Sequence, residues 1–263
     1  MQHLRNWGAP PSRRRSVVDP IPTIMVLAGT NGAGKSSIGG ALLDATHAPF
    51  YNPDSETRAL MVANPELTLE EANAAAWRVG KERLEAAIAA RQSFNFETTL
   101  GGSTIARLLV QAHEAGLRLR LWYCGLNSAD LHIARVRSRV QRGGHDIPEE
   151  KIRERYETSR HNLCTILPSV DELIMYDNST EGDPHGQRPP QPTPLLHYRD
   201  GQILYLSPVM PGWAKPIAAV AWGLALQRCK RCRDSSLEPP NFRRTQNSPD
   251  IRVKRDGPRR FGW

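Results

Sequence analysis

Apolar residues between positions 21 and 226 alternate between two spacings. Short apolar runs of strand length are separated by segments whose apolar residues recur every three to four positions, as in a helix. The runs typical of strands are "TIMVLAG", "APFYNPD", "SFNFETT", "LRLRLWYCGL" and "DELIMYDNS". The helical patterns are "LTLEEANAAAWRVGKERLEAAIAARQ", "STIARLLVQAHEAG", "SADLHIARVRSRVQR" and "PEEKIRERYETSRHNLCTIL". The alternation predicts an α/β fold, a mostly parallel sheet with helices on both faces.

The pattern changes near the end of this region. In "LLHYRDGQILYLS", two short strand-like runs flank Asp200-Gly201, a pair typical of tight hairpin turns. The following "PGWAKPIAAVAWGLALQ" has the composition of a helix. We therefore expect the parallel sheet to be followed by a C-terminal β-hairpin and helix.

Charge separates this region from the two ends of the chain. The formal net charge is +8, with net charges of +3 over residues 1–20, −2 over 21–226 and +7 over 227–263. Both ends are rich in Pro, Ser and Arg, which predicts disordered basic tails around a single domain of residues 21–226. Such tails could contact nucleic acid, but we favour solvated tails without a dedicated partner.

The chain has no run near eighteen apolar residues, and no apolar segment of signal type follows the N-terminal arginines. We expect a cytoplasmic protein that does not contact a membrane. Cys229 and Cys232 form one Cys-x-x-Cys pair without a second pair or neighbouring histidines, which is a weak signal for zinc.

The most specific motif follows the first strand. Gly-x-x-x-x-Gly-Lys-Ser spans Gly29 to Ser36, and a helical pattern from Ser36 to Ala45 comes after it. Glycines let backbone N–H groups approach phosphate oxygens, and the start of the helix adds its positive dipole end. Lys35 would reach the β- and γ-phosphates, and the Ser36 hydroxyl would bind Mg²⁺. The predicted nucleotide-binding residues are Gly29, Thr30, Asn31, Gly32, Ala33, Gly34, Lys35, Ser36 and Ser37.

Two carboxylates follow other strands of the predicted sheet. Asp54 closes "YNPD", and Glu97 lies in "FETT". Because ligands of open parallel sheets bind beyond the carboxyl ends of the strands, both should lie beside the phosphate loop. Either could accept a proton from a hydroxyl that attacks the γ-phosphate. The alternatives are that Asp54 caps the helix at "SETRAL" and that Glu97 is a structural partner of an arginine.

An arginine-rich stretch surrounds a glycine break. In "ARVRSRVQRGGHDIPEEKIRERY", Arg142 comes just before Gly143-Gly144, and Arg155 lies on the following helix. Arginines suit phosphoryl transfer because they neutralise charge on the transferred group. We expect Arg142 and Arg155 to face the triphosphate from a lid, and the other arginines to be mostly solvated or paired with glutamates.

Taken in order, "GTNGAGKSS", "NPD", "FETT", "RVRSRVQRGGHDIPEEKIRERY" and "DNS" resemble the zeta toxin family of P-loop kinases. The resemblance covers roughly Ile21 to Ala225. The phosphate loop is shared by many families, whereas "FETT" combined with "GGH-x-x-P" and a downstream arginine is much more specific.

The resemblance implies an activity, site roles and a partner. Zeta toxins transfer phosphate from ATP or GTP to the 3′-hydroxyl of UDP-N-acetylglucosamine, and an antitoxin protein normally blocks their nucleotide site. Matched residue by residue, Asp54 would be the catalytic base. Lys35 and Ser36 would serve the phosphates and Mg²⁺, Glu97 and Thr98 the acceptor, and Arg142 and Arg155 the triphosphate.

Two alternatives stay open. The chain could phosphorylate another acceptor, such as a nucleic-acid end or a small metabolite. It could also be a nucleotide-binding switch with little catalysis. The carboxylates at Asp54 and Glu97 favour a kinase, because a switch has no need of a base aimed at a second substrate.

Overall fold

A computed structural model describes residues 21–35, 50–144, 146–180 and 192–234 of the chain. These parts contain seven strands and six α-helices. The strands are β1 (Thr23–Ala28), β2 (Phe50–Tyr51), β3 (Phe94–Thr98), β4 (Arg118–Gly125), β5 (Glu172–Asp177), β6 (Thr193–Arg199) and β7 (Gln202–Leu206). The helices are α1 (Pro53–Ala63), α2 (Leu69–Ala90), α3 (Ser103–Glu114), α4 (Ala129–Gln141), α5 (Glu149–Ile166) and α6 (Lys215–Asp234).

The strands form one sheet in the order β2-β3-β1-β4-β5-β6-β7. Neighbouring strands from β2 to β5 pair in parallel, whereas β6 and β7 are antiparallel additions. The predicted fold class, a mostly parallel sheet with a C-terminal hairpin and helix, is confirmed. The hairpin turns at Asp200 and Gly201, whose φ angles of 47° and 73° suit the predicted Asp-Gly turn.

Central strand β1 supplies both faces of the core. Ile24 and Val26 join a large cluster with residues of α2, α3, α5 and α6, whereas Met25 and Leu27 join a second cluster with Cys124. Alternate side chains of a strand point to opposite faces, so a continuous apolar run is needed where both faces are covered. The burial of β1 thus places its C-terminal end, where the phosphate loop begins, in the middle of the sheet edge.

The helix ends show where local signals act. Thr68 and Glu71 form a capping box at the start of α2, and Gly116 and Gly143 take φ angles of 79° and 82° just after α3 and α4. Pro148 is the N-cap residue of α5 rather than its first helical residue.

Helix α6 runs to Asp234, past the predicted domain boundary at 226. The prediction of a disordered tail is therefore wrong for residues 227–234, where good helix formers continue the helix and Arg228 donates to the carbonyl of Asp200. The predicted tails over 1–20 and 235–263, and the predicted helix at 36–45, lie outside the described residues. None of the helices that the structure describes is long and apolar enough to cross a membrane.

Candidate active site

Three neighbouring strands bring the candidate residues to one edge of the sheet. Ala28 at the end of β1 pairs with Thr98 of β3, and Tyr51 of β2 pairs with Phe96. The phosphate loop, the "FETT" segment and the start of α1 therefore leave the sheet side by side. This register confirms that these segments meet at the carboxyl edge, as the sequence predicts.

The phosphate loop has a backbone that glycine makes possible. Gly29, Gly32 and Gly34 have φ angles of 142°, 80° and 83°, which side chains rarely permit. A Cβ at Gly29 would collide with the carbonyl oxygen of Cys124, and one at Gly32 would lie 2.6 Å from the carbonyl oxygen of His132. The glycines thus allow both the turn and its close contact with the elements behind it.

Buried donors hold the back of the loop. The ring Nδ1 of His132 donates to the carbonyl oxygen of Asn31 at 2.7 Å. Cys124 Sγ and Asn178 Nδ2 donate to the carbonyl oxygen of Ala33 at 3.0 Å and 2.9 Å. Burial lowers the pKa of His132 to about 4 and raises the pKa of Cys124 to about 12, so both groups are neutral at physiological pH.

Lys35 lies between the loop and β3. Its side chain is 8% exposed, its Nζ donates to the carbonyl oxygen of Gly29 at 2.7 Å, and Glu97 Oε1 is 3.5 Å away. The other oxygen of Glu97 accepts from Asn52 Nδ2 at 3.0 Å. The structure therefore brings Glu97 to the phosphate-loop lysine, whereas the sequence alternative paired it with an arginine.

Asn52, and not Asp54, is the N-cap of α1. Its Oδ1 accepts from the backbone N–H of Ser55 at 3.1 Å. Asp54 is the second residue of the helix and its side chain is free of the capping role that the sequence left open. That side chain is 44% exposed, and its Oδ2 is 3.9 Å from Arg139 Nη1.

A cavity of about 230 Å³ opens beside Asp54. It lies between α1, α2 and the glycine break after α4, and mixes polar and apolar walls. Its lining residues are Asp54, Thr57, Arg58, Met61, Leu69, Asn73, Gly143 and Gly144. The cavity can take a small group next to the carboxylate.

The two predicted arginines differ in their surroundings. Arg155 Nη1 donates to Asn31 Oδ1 of the phosphate loop at 2.8 Å, and Thr30 Oγ1 donates to the Arg155 carbonyl oxygen at 3.2 Å. Burial lowers the pKa of Arg155 below its usual range, and the carboxylates of Glu154 and Asp54 act in the opposite direction. Arg142 is exposed and donates to Ser138 on its own helix, at 3.1 Å to the carbonyl oxygen and 3.4 Å to Oγ. Arg155 thus reaches the loop, and Arg139 rather than Arg142 reaches Asp54.

Thr98 shapes the turn after β3. Its Oγ1 accepts from the backbone N–H of Leu100 at 3.0 Å, and Leu100 is buried with a φ angle of 54°. Ser159 and Asn162 of α5 donate to the carbonyl oxygens of Thr99 and Leu100 at 2.6 Å and 2.8 Å. Helix α5 therefore fixes this turn with the same face that carries Arg155 to the phosphate loop.

Several residues of the site were not assigned roles by sequence reasoning, among them Asn52, His132, Arg139 and Asn178. Asn52 carries a local signal, because Asn before Pro is typical of a helix start. The contacts of the other three depend on packing between distant segments.

Ser36 and Ser37 lie outside the described residues. Within the described parts of the chain, no group of three or more His, Cys, Asp or Glu side chains could hold a metal ion, and Cys229 is exposed on α6.

Comparison with known proteins places the chain in a family. The family model described as "Zeta toxin" matches residues 12–182, more than half of the chain. The chain belongs to the zeta toxin family. The match begins inside the predicted N-terminal tail and ends before the hairpin, so it differs at both ends from the range of the sequence resemblance. Zeta toxin-like proteins are P-loop kinases, and the predicted family is confirmed.

Among curated proteins, an uncharacterized protein of Haemophilus influenzae is 32% identical over 128 residues, which is 49% of this chain and 88% of that protein. Among solved structures, AvrRxo1-ORF1 in its native complex with ORF2 has a TM-score of 0.55 and 15% identity. The complex with ATP has a TM-score of 0.54. Both alignments cover 76% of this zeta toxin family chain but 63% of the other, so it spans less than two thirds of those chains. At this identity the likeness shows the fold alone.

Proposed function

We propose that this protein is an ATP-dependent kinase that transfers the γ-phosphate to a hydroxyl of a small acceptor, the 3′-hydroxyl of UDP-N-acetylglucosamine. The observation that carries the proposal is the arrangement of Asp54. Its carboxylate lies beside an open cavity, has Arg139 at 3.9 Å, and leaves the same sheet edge as the phosphate loop. Family membership supports the reaction class, and the nucleotide sugar rests on the resemblance of the motifs.

The proposed chemistry is a single in-line transfer. The acceptor hydroxyl occupies the cavity and loses its proton to Asp54 as its oxygen attacks the γ-phosphorus. The new O–P bond forms as the bond from phosphorus to the bridging oxygen of the β-phosphate breaks, and ADP leaves with that electron pair. The proton stays on Asp54 until it is released to water.

Three cations stabilise the charge that develops in this step. Lys35 turns from the carbonyl oxygen of Gly29 and from Glu97 to the β- and γ-phosphates, because these phosphates carry more negative charge than a single carboxylate. Arg155 approaches from α5, where it already contacts Asn31. Arg139 approaches from α4 beside Asp54. Arg142, which is bonded to its own helix, is the weaker candidate for the same role. Glu97 and Thr98 stay the proposed acceptor-side residues.

ATP or GTP is the proposed phosphate donor, accompanied by Mg²⁺. The Ser36 hydroxyl, next to Lys35 at the end of the loop, and the donor phosphates would hold the ion, since Mg²⁺ prefers oxygen ligands of this kind. When bound, the ion neutralises phosphate charge.

An antitoxin protein is the proposed macromolecular partner. The family resemblance supports it, and the AvrRxo1-ORF1 structures contain ORF2 as a second chain. Binding of such a partner over the nucleotide site would inhibit transfer. Coexpression with a neighbouring gene product and copurification would test this directly.

The decisive experiment measures phosphate transfer from labelled ATP to UDP-N-acetylglucosamine by the wild-type protein and Asp54→Asn. We expect kcat to fall about 10³-fold, since loss of a positioned base typically costs 10²- to 10⁴-fold. Glu56→Gln, in the same helical turn, is the matched control and should stay within about twofold. Turnover by Asp54→Asn at the wild-type rate would show that Asp54 is not the catalytic base.

The same assay with other acceptors tests the alternatives. Transfer to 5′-hydroxyl ends of oligonucleotides or to small polyols, with none to nucleotide sugars, would contradict the proposed acceptor. The proposal that the protein is a kinase would still hold. ATP binding without transfer to any of these acceptors would favour the nucleotide-binding switch.

A further inference from the structure

A polar chain links the phosphate loop to the helix that carries Asp54. It runs from Lys35 Nζ to Glu97 Oε1 at 3.5 Å, and from Glu97 Oε2 to Asn52 Nδ2 at 3.0 Å. From there Asn52 Oδ1 accepts from the Ser55 N–H at 3.1 Å. The first contact joins the phosphate loop to β3, the second joins β3 to the N-cap of α1, and the third lies within the first turn of α1.

We propose that Asn52 is a positioning residue that couples occupancy of the phosphate loop to the placement of Asp54. This inference rests on the proposed function, since it concerns the same site. The Asn52 side chain uses its two ends for different tasks, because the oxygen caps α1 while the amide nitrogen binds Glu97. Asp54 lies two residues further on, within the first turn that this cap starts.

Glu97 makes the coupling responsive to nucleotide. Its carboxylate is 13% exposed and is shared between a cation on the donor side and an amide on the acceptor side. When Lys35 turns to the phosphates, Glu97 loses its cation and the Asn52 amide becomes the remaining side-chain donor to it among the described contacts. A hydrogen bond to a charged acceptor strengthens as competing donors leave, so nucleotide binding tightens the hold on the first turn of α1.

The residue at position 52 must therefore combine two properties. Ser and Asp are also good N-cap residues, so capping alone does not require Asn. Ser is too short to reach Glu97, and Asp would place a second carboxylate against it. Asn alone among the strong cap formers has both an acceptor for Ser55 and an amide donor for Glu97.

The first test measures kinetics with cap-preserving variants. We expect Asn52→Ser to lower kcat about 10- to 100-fold, the range for loss of a hydrogen bond to a charged group, with the Kd for ATP within about threefold of wild type. Asn52→Asp should lower kcat further. Thr68→Ala, which removes the cap of α2, is the control: it should lower Tm and leave kcat unchanged.

A double variant tests the pairing itself. Asn52→Asp combined with Glu97→Gln reverses the amide and the carboxylate, so the combined loss of kcat should be smaller than the product of the single losses. Purely multiplicative losses, or wild-type kcat in both Asn52 variants, would overturn the proposal.

The second test needs no acceptor, and so separates this inference from the proposed function. Hydrogen exchange of residues 50–63 is measured with and without Mg·ATP. The wild type should gain protection there on binding ATP, and Asn52→Ser should bind ATP without that gain. An equal gain in both proteins would contradict the coupling even if the acceptor assay showed turnover, and the expected difference would support it even if no acceptor reacted.

Discussion

The two edges of the sheet each carry a sheltered glutamate, and they use it differently. At the amino edge, Glu172 is 7% exposed and binds Arg120 Nε at 2.5 Å and His197 Nε2 at 2.8 Å. At the carboxyl edge, Glu97 is 13% exposed, with Lys35 Nζ at 3.5 Å and an amide as its other partner. Each glutamate has side-chain partners on both oxygens, but the nearest ones of Glu172 lie at 2.5 and 2.8 Å, whereas the lysine beside Glu97 lies at 3.5 Å.

The two glutamates differ in how closely their partners approach them. Burial opposes ionisation of Glu172, but hydrogen bonds from His197 and Arg120 outweigh it, so its pKa lies below the usual range. At the carboxyl edge, Lys35 is divided between Glu97 and a carbonyl oxygen, and Arg139 stays 3.9 Å from Asp54. A lysine divided between two acceptors beside a glycine loop suits a site that an anionic ligand completes, whereas tight pairs suit a structural one.

The largest expected effect comes from Lys35→Met, which keeps the length of the side chain and removes its charge. We expect kcat/KM for transfer to fall about 10³-fold, because a preorganised cation at the transferred phosphate is lost. Lys81→Met, at a partly exposed lysine paired with Glu85, is the control and should stay within about twofold. Similar activity of the two variants would show that Lys35 does not stabilise the transferred phosphate.

Arg139→Ala and Arg142→Ala test which arginine at the carboxyl edge of the sheet contributes to transfer. Because Arg139 lies beside Asp54, we expect Arg139→Ala to lower kcat about 10²-fold. Arg142 is bonded to its own helix, so Arg142→Ala should lower kcat less than threefold. Steady-state transfer kinetics of the two purified variants measure this. A larger loss for Arg142→Ala would show that the lid rearranges to bring Arg142 onto the triphosphate.

Glu172→Ala removes the glutamate at the amino edge of the sheet. We expect the free energy of unfolding to fall by about 2–3 kcal/mol, less than for a fully buried pair because Arg120 and His197 are partly exposed, with kcat unchanged. Urea unfolding together with the transfer assay measures both. The exposed pair of Arg118 and Asp200 provides the control, since Asp200→Asn should cost less than about 1 kcal/mol. A loss of kcat in Glu172→Ala at full stability would contradict a structural role.

The smallest expected effect is a loss of folding stability at acidic pH. The pKa of His132 is about 4 in the folded protein, below the ordinary value of about 6.5, so the unfolded chain binds the proton more readily between these values. The stability from His132 is therefore present above about pH 6.5 and declines toward pH 4, by about 2 kcal/mol between pH 7.5 and 5.

Urea unfolding of wild type and His132→Asn at both pH values measures the effect. The variant should lack this part of the acid loss, while His113 and His197 remain in both proteins. Equal losses in the two proteins would show that His132 does not couple folding to pH.

Local sequence signals predicted the elements well because their causes lie within a few residues. The Asp200-Gly201 turn, Gly116 after α3 and the glycines of the phosphate loop each reflect a φ angle that the residue itself permits. The sequence left the cap of α1 open as an alternative role for Asp54, since both Asn52 and Asp54 suit an N-cap, and the observed bond to Ser55 assigns it to Asn52. The tail boundary at 226 was placed from composition, which does not register a helix that continues into basic residues.

By itself the sequence determined the strand–helix alternation, the phosphate loop and the placement of Asp54 and Glu97 at strand ends, because these follow from side-chain periodicity and backbone preference. The tertiary structure decided which groups meet: Lys35 with Glu97, Asn52 with Glu97, and Arg139 with Asp54. Those contacts join segments far apart in the chain. They depend on the register of parallel strands and on which turn of α4 faces α1, and neither is encoded in any short stretch of residues.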